Sequence, residues 1–455
     1  MTSEISLTVI KKIKNKKKEM LPSSRSASLV LGASILFIRK VTSFTLNNPA
    51  TQRQQVKRNR CTNLILFLEQ HPILVGQGIT SSVFVKTKSN SSYESHKKNI
   101  LFAGTKRGNV LSFDIGNLKT ELEEVRKEMD ANYNVEFDIF QDDKYVLKPY
   151  PIYSMEAFFD NEEKKTMLAC GGGDRFITIW ENEGQCEDND SWKIKCRLGP
   201  HTGWVKDLVL EPNRQHSNAL RLHSIGCNCI ETWKYEKEEP GEFGHSKKTW
   251  KHDKKRTIES CPNQGATLSS DLLCLCLDLK DASGNYFLYS GGVDGRIHEW
   301  YGDEMKPKLS FIAHNGRVNA LLILQKARVM ISSGYDGVIK CWDLSNEMGL
   351  AEASQKKDVY IAINGRVLSM SCIDEASNEA EVILGTSCGK IYTISVFRNK
   401  DGNVSMEVHK SRTFHIRGGA GSVYQLTSLS NLLEENKVLD IVVAHANGLT
   451  VINSE

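Results

Sequence analysis

The fold is decided by the stretch VMISSGYDGVIKCWD, residues 329–343. It opens with a short apolar run, turns tightly through Gly334, Asp336 and Gly337, and continues as an alternating segment that ends at Trp342. Apolar residues at every second position are typical of a strand with one buried face, and a Gly/Asp turn between two such runs indicates a hairpin. The stretch therefore predicts two antiparallel strands joined by a tight turn.

The same hairpin recurs along the chain. Clear copies are LACGGGDRFITIW (168–180), LHSIGCNCIETW (222–233) and LYSGGVDGRIHEW (288–300), with weaker copies at 100–113, 382–394 and 440–452. Asp174, Asp294 and Asp336 each stand six residues before a tryptophan. A second apolar strand, entered through a polar turn, precedes each hairpin, as in HNGRVNALLIL (314–324). Self-similarity of this kind marks a repeat architecture, so we predict an all-β chain of seven repeats.

One repeat resembles a known family position for position. His314, Ser332, Asp336, Trp342 and Asp343 match the signature of the WD-repeat β-propeller family. The resemblance covers residues from about 78 to 453 and implies a seven-bladed propeller. It also implies that the first four of these residues form a hydrogen-bonded structural tetrad inside the blade, where a buried histidine must satisfy both ring nitrogens.

The other repeats depart from this signature and carry insertions. Cys227 replaces the turn aspartate in one repeat, and successive turns are 67, 53, 67, 42, 52 and 59 residues apart. Because a bare unit has about 40–45 residues, the excess must lie in loops. Residues 116–148 contain an apolar stripe at helical spacing (118–129), which either packs on the propeller or offers a second docking element. Residues 235–267 are charged and punctuated by Gly and Pro, and we predict a mobile loop there.

The chain ends inside the third strand of the seventh repeat, so that blade needs an outer strand from elsewhere. An unpaired blade edge is a liability for a β protein. The segment LILFLE (64–69) lies directly before the first repeat and can supply the strand. We therefore predict ring closure by an N-terminal strand, within a propeller domain that spans residues 61–455.

Residues 1–60 form a basic leader. They hold 13 Lys and Arg residues against Glu4 and Glu19, a net charge of +11, whereas the remaining 395 residues carry a net charge of −7. A Ser-rich composition with few acids is typical of a transit peptide, which favours a plastid or mitochondrion. The alternative is a disordered basic tail or a nuclear-localisation patch at Lys11–Lys18, and hence a cytoplasmic or nuclear protein. No run reaches the roughly 18 apolar residues needed for a transmembrane segment.

The motifs of catalysis and metal binding are absent from the sequence. The segment GGGDRF (171–176) opens a strand rather than a helix, so it is not a phosphate loop, and no nucleophile elbow or zinc-protease motif occurs. His314 and Asp336 could form a catalytic pair, but the full tetrad match favours a structural role. The twelve cysteines include no Cys-x-x-Cys pair. We therefore expect no enzyme, no cofactor, no metal site and no small-molecule substrate.

The family resemblance places partner binding on the top rim, at the residue before each first strand. The seven rim residues are Ser82, Pro151, Trp204, Asp271, Arg317, Arg366 and Ser422. Trp204, Arg317 and Arg366 belong to residue types enriched at interface hot spots, and Tyr335 joins them beside the tight turn. The alternative is that Trp204 covers a blade edge and that the arginines are simply solvated.

These features predict a non-catalytic protein–protein interaction scaffold that works as part of a complex. An acidic partner segment would suit the arginines. The alternative function is an assembly factor in RNA or ribosome handling, with the basic N-terminus contacting nucleic acid. Whether the leader is cleaved distinguishes the two functions, because the acidic body alone does not favour nucleic-acid binding.

Overall fold

The computed structural model describes most of the predicted propeller. It covers residues 68–73, 78–86, 99–114, 150–160, 162–163, 165–182, 192–211, 220–238, 248–258, 271–279, 286–345, 359–409, 413–416, 421–428 and 441–454. The predictions for the leader (1–60) and for the insertion 116–148, with its stripe at 118–129, lie outside the described residues.

The described residues form 28 strands and no helix. In chain order the strands are β1 (Leu68–Ile73), β2 (Ile79–Lys86), β3 (Asn99–Thr105), β4 (Val110–Asp114), β5 (Ile152–Asp160), β6 (Lys165–Gly172), β7 (Ile177–Asn182), β8 (Trp192–Leu198), β9 (Val205–Glu211), β10 (Leu220–Gly226), β11 (Cys229–Lys237), β12 (Lys248–Thr257), β13 (Leu272–Leu279), β14 (Tyr286–Gly292), β15 (Arg296–Tyr301), β16 (Leu309–Ile312), β17 (Val318–Leu324), β18 (Val329–Gly334), β19 (Val338–Asp343), β20 (Val359–Ala362), β21 (Val367–Glu375), β22 (Glu379–Thr386), β23 (Lys390–Arg398), β24 (Val404–Val408), β25 (Phe414–His415), β26 (Val423–Ser428), β27 (Ile441–His445) and β28 (Gly448–Ser454).

The strands form seven antiparallel sheets, the blades of one propeller. Blade 1 is β2–β3–β4, blade 2 is β5 to β8, blade 3 is β9 to β12, blade 4 is β13 to β16, and blade 5 is β17 to β20. Blade 6 is β21 to β24, with β25 also pairing with β23, and blade 7 is β26–β27–β28–β1. The prediction of an all-β, seven-bladed propeller is confirmed.

The outer strand of blade 7 comes from the N-terminal side of the propeller. Strand β1 pairs antiparallel with β28, from Leu68 opposite Ser454 to Ile73 opposite Leu449. The closing strand therefore exists, and it runs four residues beyond the predicted end at Glu69, while residues 64–67 lie outside the described residues. An outer strand needs only one packed face, so the most continuous apolar run was a poor guide to its position.

The prediction of a mobile loop over 235–267 is wrong for residues 235–237 and 248–257, which form strands, while 239–247 and 259–267 lie outside the described residues. Strand β11 continues to Lys237, and β12 supplies a ten-residue outer strand that pairs with it from Cys229 opposite Thr257 to Lys237 opposite Lys248. Charges inside the predicted loop pair across these strands, as Lys251 does with Glu236 at 3.5 Å. A strand with one solvated face can carry such charges without losing its ladder.

Seven hydrophobic clusters hold the ring together, each between consecutive blades. Trp342 of blade 5, for example, packs with Phe287 of blade 4. The cluster between blades 7 and 1 includes Ile79, Val442 and Val451, which are almost fully buried. Because every blade is covered on both faces by its neighbours, burial of apolar surface depends on a complete ring.

Candidate functional site

The tetrad residues lie together inside blade 5. The Nε2 atom of His314 is 2.8 Å from the Ser332 hydroxyl, and the indole N–H of Trp342 donates to the same hydroxyl at 2.8 Å. The Nδ1 atom of His314 lies 3.2 Å from a carboxylate oxygen of Asp336. Burial lowers the pKa of His314, and the nearby Asp336 opposes that shift. Both ring nitrogens of His314 are thus engaged within the blade, and the arrangement suits a structural role.

Blade 3 builds the same chain of hydrogen bonds without an aspartate. The Nε2 atom of His201 is 2.8 Å from the Ser224 hydroxyl, to which Trp233 donates at 3.3 Å. Cys227 occupies the turn position, and the Nδ1 atom of His201 instead faces the Arg175 carbonyl oxygen at 3.2 Å. A backbone acceptor therefore replaces the carboxylate in this blade.

Removing the shared hydroxyl should destabilise the propeller. We expect Ser332→Ala to lower the free energy of unfolding by about 2–3 kcal/mol, because two buried ring nitrogens lose their partner. Ser333→Ala is the matched control, since Ser333 is equally buried but donates only to the Val367 carbonyl at 3.3 Å. Urea denaturation of both variants measures the difference. An equal loss in the two would contradict the role of the tetrad.

A recurring backbone hydrogen bond defines the rim. The Tyr335 N–H donates to the Arg317 carbonyl at 2.8 Å, which places the tight turn beside the residue that precedes β17. The same bond recurs at Gly78, Pro151, Asp271, Arg366 and Ser422, with donors Lys106, Gly173, Val293, Ser387 and Ala446. The rim residue of blade 1 is therefore Gly78.

The prediction that Ser82 is a rim residue is wrong. Ser82 lies inside β2 and is buried, with its N–H donating to Gln425 Oε1 at 2.7 Å. The first strand begins at Ile79, four residues before the valine from which the position was counted. The start of β2 was missed because three polar residues, TSS, follow Ile79 and interrupt the apolar pattern of the strand.

All seven inner strands contain a β-bulge directly after their first residue. The bulged residues are Thr80, Tyr153, Lys206, Leu273, Asn319, Leu368 and Tyr424. A bulge re-aims a side chain and disturbs the ladder locally. Each blade therefore has two such positions at this end of its inner strand, two residues apart in sequence: one before the strand and one in the bulge.

Two of these bulged residues join Trp204. The ring of Trp204 is 51% exposed and stacks on Tyr153 at a centroid distance of 5.9 Å. The Lys206 ammonium lies 3.8 Å from the Tyr153 centroid and 4.5 Å from the Trp204 centroid. Cation–π attraction thus fixes an aromatic pair from blades 2 and 3.

The three other predicted partner-binding residues also meet. Tyr335 is 42% exposed, and its ring centroid lies 4.9 Å from the guanidinium carbon of Arg317 and 3.7 Å from that of Arg366. The arginines come from the rims of blades 5 and 6, and both are exposed. The structure thus brings Arg317, Tyr335 and Arg366 into one cluster, and Trp204 lies in the other.

Electrostatics link the two clusters. Burial lowers the pKa of Lys206, while Asp271 opposes the shift and the positive charge of Arg317 adds to it. We call the combined surface the cationic–aromatic face; its residues are Tyr153, Trp204, Lys206, Arg317, Tyr335 and Arg366. Sequence reasoning missed Tyr153 and Lys206. The available signal was their position, since each directly follows the first apolar residue of an inner strand.

Within the part of the chain that the structure describes, no three His, Cys, Asp or Glu side chains form a group that could hold a metal ion. A search of the same residues found no helix long and apolar enough to cross a membrane.

The fold and the tetrad define a class of protein, the seven-bladed propeller built from hydrogen-bonded repeats. Residues 305–343, which include β16 to β19, match the family model described as "WD domain, G-beta repeat". This match confirms the predicted resemblance to the WD-repeat family in that repeat, and the seven-bladed architecture is consistent with the family.

Curated relatives match parts of the chain. It is 26% identical over 175 residues to type I inositol polyphosphate 5-phosphatase 13 of Arabidopsis thaliana, covering 33% of this chain and 15% of the relative. It is 29% identical over 110 residues to a Xenopus laevis p21-activated protein kinase-interacting protein 1-like protein, covering 24% and 28%. The ribosome biogenesis protein WDR12 homolog of Oryza sativa subsp. japonica is 23% identical over 199 residues, covering 42% and 43%. The chain thus matches less than half the length of each relative.

Proposed function

We propose that this protein is a non-catalytic interaction scaffold that holds partner proteins on its cationic–aromatic face. WD-repeat propellers bind other proteins in complexes and are generally non-catalytic. The observation that carries the proposal is the cluster of Arg317, Tyr335 and Arg366, which gathers exposed hot-spot residue types from neighbouring blades.

The packing within the face supports this role. Trp204 stacks on Tyr153, and Tyr335 lies against two guanidinium groups, so their side chains are already restrained before a partner arrives. Ordering flexible side chains is a main cost of association, and preorganised residues reduce it. The alternative, in which these residues only cover the blade ends, predicts no effect on binding when their charge is reversed.

Charge reversal in the cationic–aromatic face should weaken the binding of partner proteins. We expect the Arg317→Glu/Arg366→Glu double variant to recover at least one partner about tenfold less well than the unchanged chain in an affinity pull-down with quantitative mass spectrometry. The matched control is Lys251→Glu/Lys400→Glu, which makes the same charge change at exposed residues away from the face. Equal recovery of every partner by both double variants would contradict the proposal that the face binds partner proteins.

A second candidate function is RNA or ribosome assembly through the basic leader. The similarity to a ribosome biogenesis protein and the +11 charge of residues 1–60 favour it. The same pull-down separates the two candidates when a chain lacking residues 1–60 is included and co-purified RNA is measured. Loss of RNA and partners on that deletion, with no loss in the Arg317→Glu/Arg366→Glu variant, would support the second candidate over the first.

A further inference from the structure

Arg317 and Arg366, both exposed on the rim, differ from Arg328 and Arg398, which are half-buried and pair with carboxylates. Arg328 binds the Asp278 carboxylate through both of its terminal nitrogens, and Arg398 binds Asp343 in the same way. Among the described residues, by contrast, no carboxylate pairs with the guanidinium of Arg317 or of Arg366, and both stack on Tyr335.

The two guanidinium groups contact one ring, and no carboxylate among the described residues neutralises their charge. Two positive charges against the same ring repel each other, and Lys206 adds a third positive charge near Arg317. The planar guanidinium fork matches a carboxylate with two parallel hydrogen bonds, and an ionised acceptor strengthens each bond. The stacked arginines therefore present unused donors that carboxylate groups would satisfy.

The other end of the face has a different chemistry. Trp204 exposes about half of its ring, and the Tyr153 and Lys206 contacts hold it in place. A rigid, partly exposed aromatic ring is a suitable surface for an apolar side chain. The face thus places an apolar surface on blades 2 and 3 and an anion-binding surface on blades 5 and 6.

We infer that the cationic–aromatic face binds an acidic peptide segment of a partner protein, with carboxylates at Arg317 and Arg366 and an apolar side chain on Trp204. This inference rests on the proposed function and names the chemistry of the partner. Charge complementarity supports it, since the face gathers Lys206, Arg317 and Arg366 on a body whose net charge is −7. That acidic body opposes a long polyanion such as RNA more strongly than a short acidic peptide.

Panning a display library of random dodecapeptides on the full chain tests the inference without knowledge of the partner. We expect the enriched peptides to be acidic and to carry an apolar residue, and their affinity to fall as NaCl is added, because exposed charges are screened. Neutral or basic enriched peptides, or no enrichment, would overturn the inference. Displacement of the enriched peptides by a lower concentration of oligouridylate would also overturn it, in favour of nucleic acid.

Variants locate the binding on the face. Arg317→Gln/Arg366→Gln should abolish the acidic bias and weaken the selected peptides at least about tenfold, whereas the lysine versions of both should retain part of the affinity. Trp204→Ala should remove the apolar preference and keep the acidic bias. Unchanged melting temperatures show that the variants are folded, and an acidic bias that survives the glutamine substitutions contradicts the inference. If partner recovery depends on the face while no acidic bias emerges, the inference fails and the proposed function stands.

Discussion

A chain that begins after residue 76 should melt far below a chain that begins at residue 61, whereas removal of residues 1–60 alone should change the melting temperature little. The longer deletion removes β1, which pairs with β28 at six positions from Leu68 to Ile73. Each net backbone hydrogen bond contributes about 1 kcal/mol, so the loss is on the order of 5 kcal/mol, a large part of the stability of a typical domain. It also leaves β28 as an exposed edge.

Thermal denaturation of the full chain and of the two truncated chains measures this effect. A synthetic peptide of residues 61–76, added to the shorter chain, provides the control and should raise its melting temperature, because ligand binding to the native state stabilises it. Equal melting temperatures for the two truncated chains would show that β1 does not contribute to ring stability.

Arg256 joins blade 3 to blade 4 from a completely buried position. Its Nη1 atom donates to the Thr232 hydroxyl at 2.7 Å, and its Nη2 atom donates to the Tyr286 hydroxyl at 3.0 Å and to the Gly302 carbonyl at 2.8 Å. Its Nε atom donates to the Glu304 carbonyl at 3.0 Å. One fully buried side chain therefore hydrogen-bonds to acceptors on two blades.

Arg256→Ala should lower the free energy of unfolding by about 3–5 kcal/mol, because it leaves a cavity and several acceptors without a donor. Lys251→Ala, in the same strand β12, is the matched control. Lys251 is exposed and pairs with Glu236, whose side chain is also partly exposed, at 3.5 Å, and such surface pairs contribute at most about 1 kcal/mol. Urea denaturation midpoints give the comparison, and similar losses in the two variants would contradict the role of Arg256.

The elements that sequence reasoning placed correctly are those with a local pattern. The hairpins of the repeats carry period-two alternation and a Gly or Asp turn, and both features arise from neighbouring residues. The outer strands lack this pattern. Strand β12 has the sequence KTWKHDKKRT, whose charges indicate a loop until its pairing with β11 is known.

The residues of the candidate site also fall into those that local sequence identifies and those that only strand pairing reveals. The residue before each inner strand can be counted from the sequence, and this counting identified Trp204, Arg317 and Arg366. Tyr153 and Lys206 each follow the first apolar residue of an inner strand, but the bulge at that position is seen only in the pairing register of the strand with its neighbour. The contact of Tyr335 with both arginines could not be predicted from the sequence, because Arg366 belongs to the next blade.

The sequence by itself determined the number of blades, the identity of the tetrad and the acidic character of the body. The first two properties depend on residue types at short fixed spacings within a repeat, and the third depends only on the numbers of charged residues. The tertiary structure alone decided the register of the strand that closes the ring, that Arg256 connects two blades, and that three cations and three aromatic rings form one face. Those contacts join residues from different blades, and only closure of the ring brings such residues together.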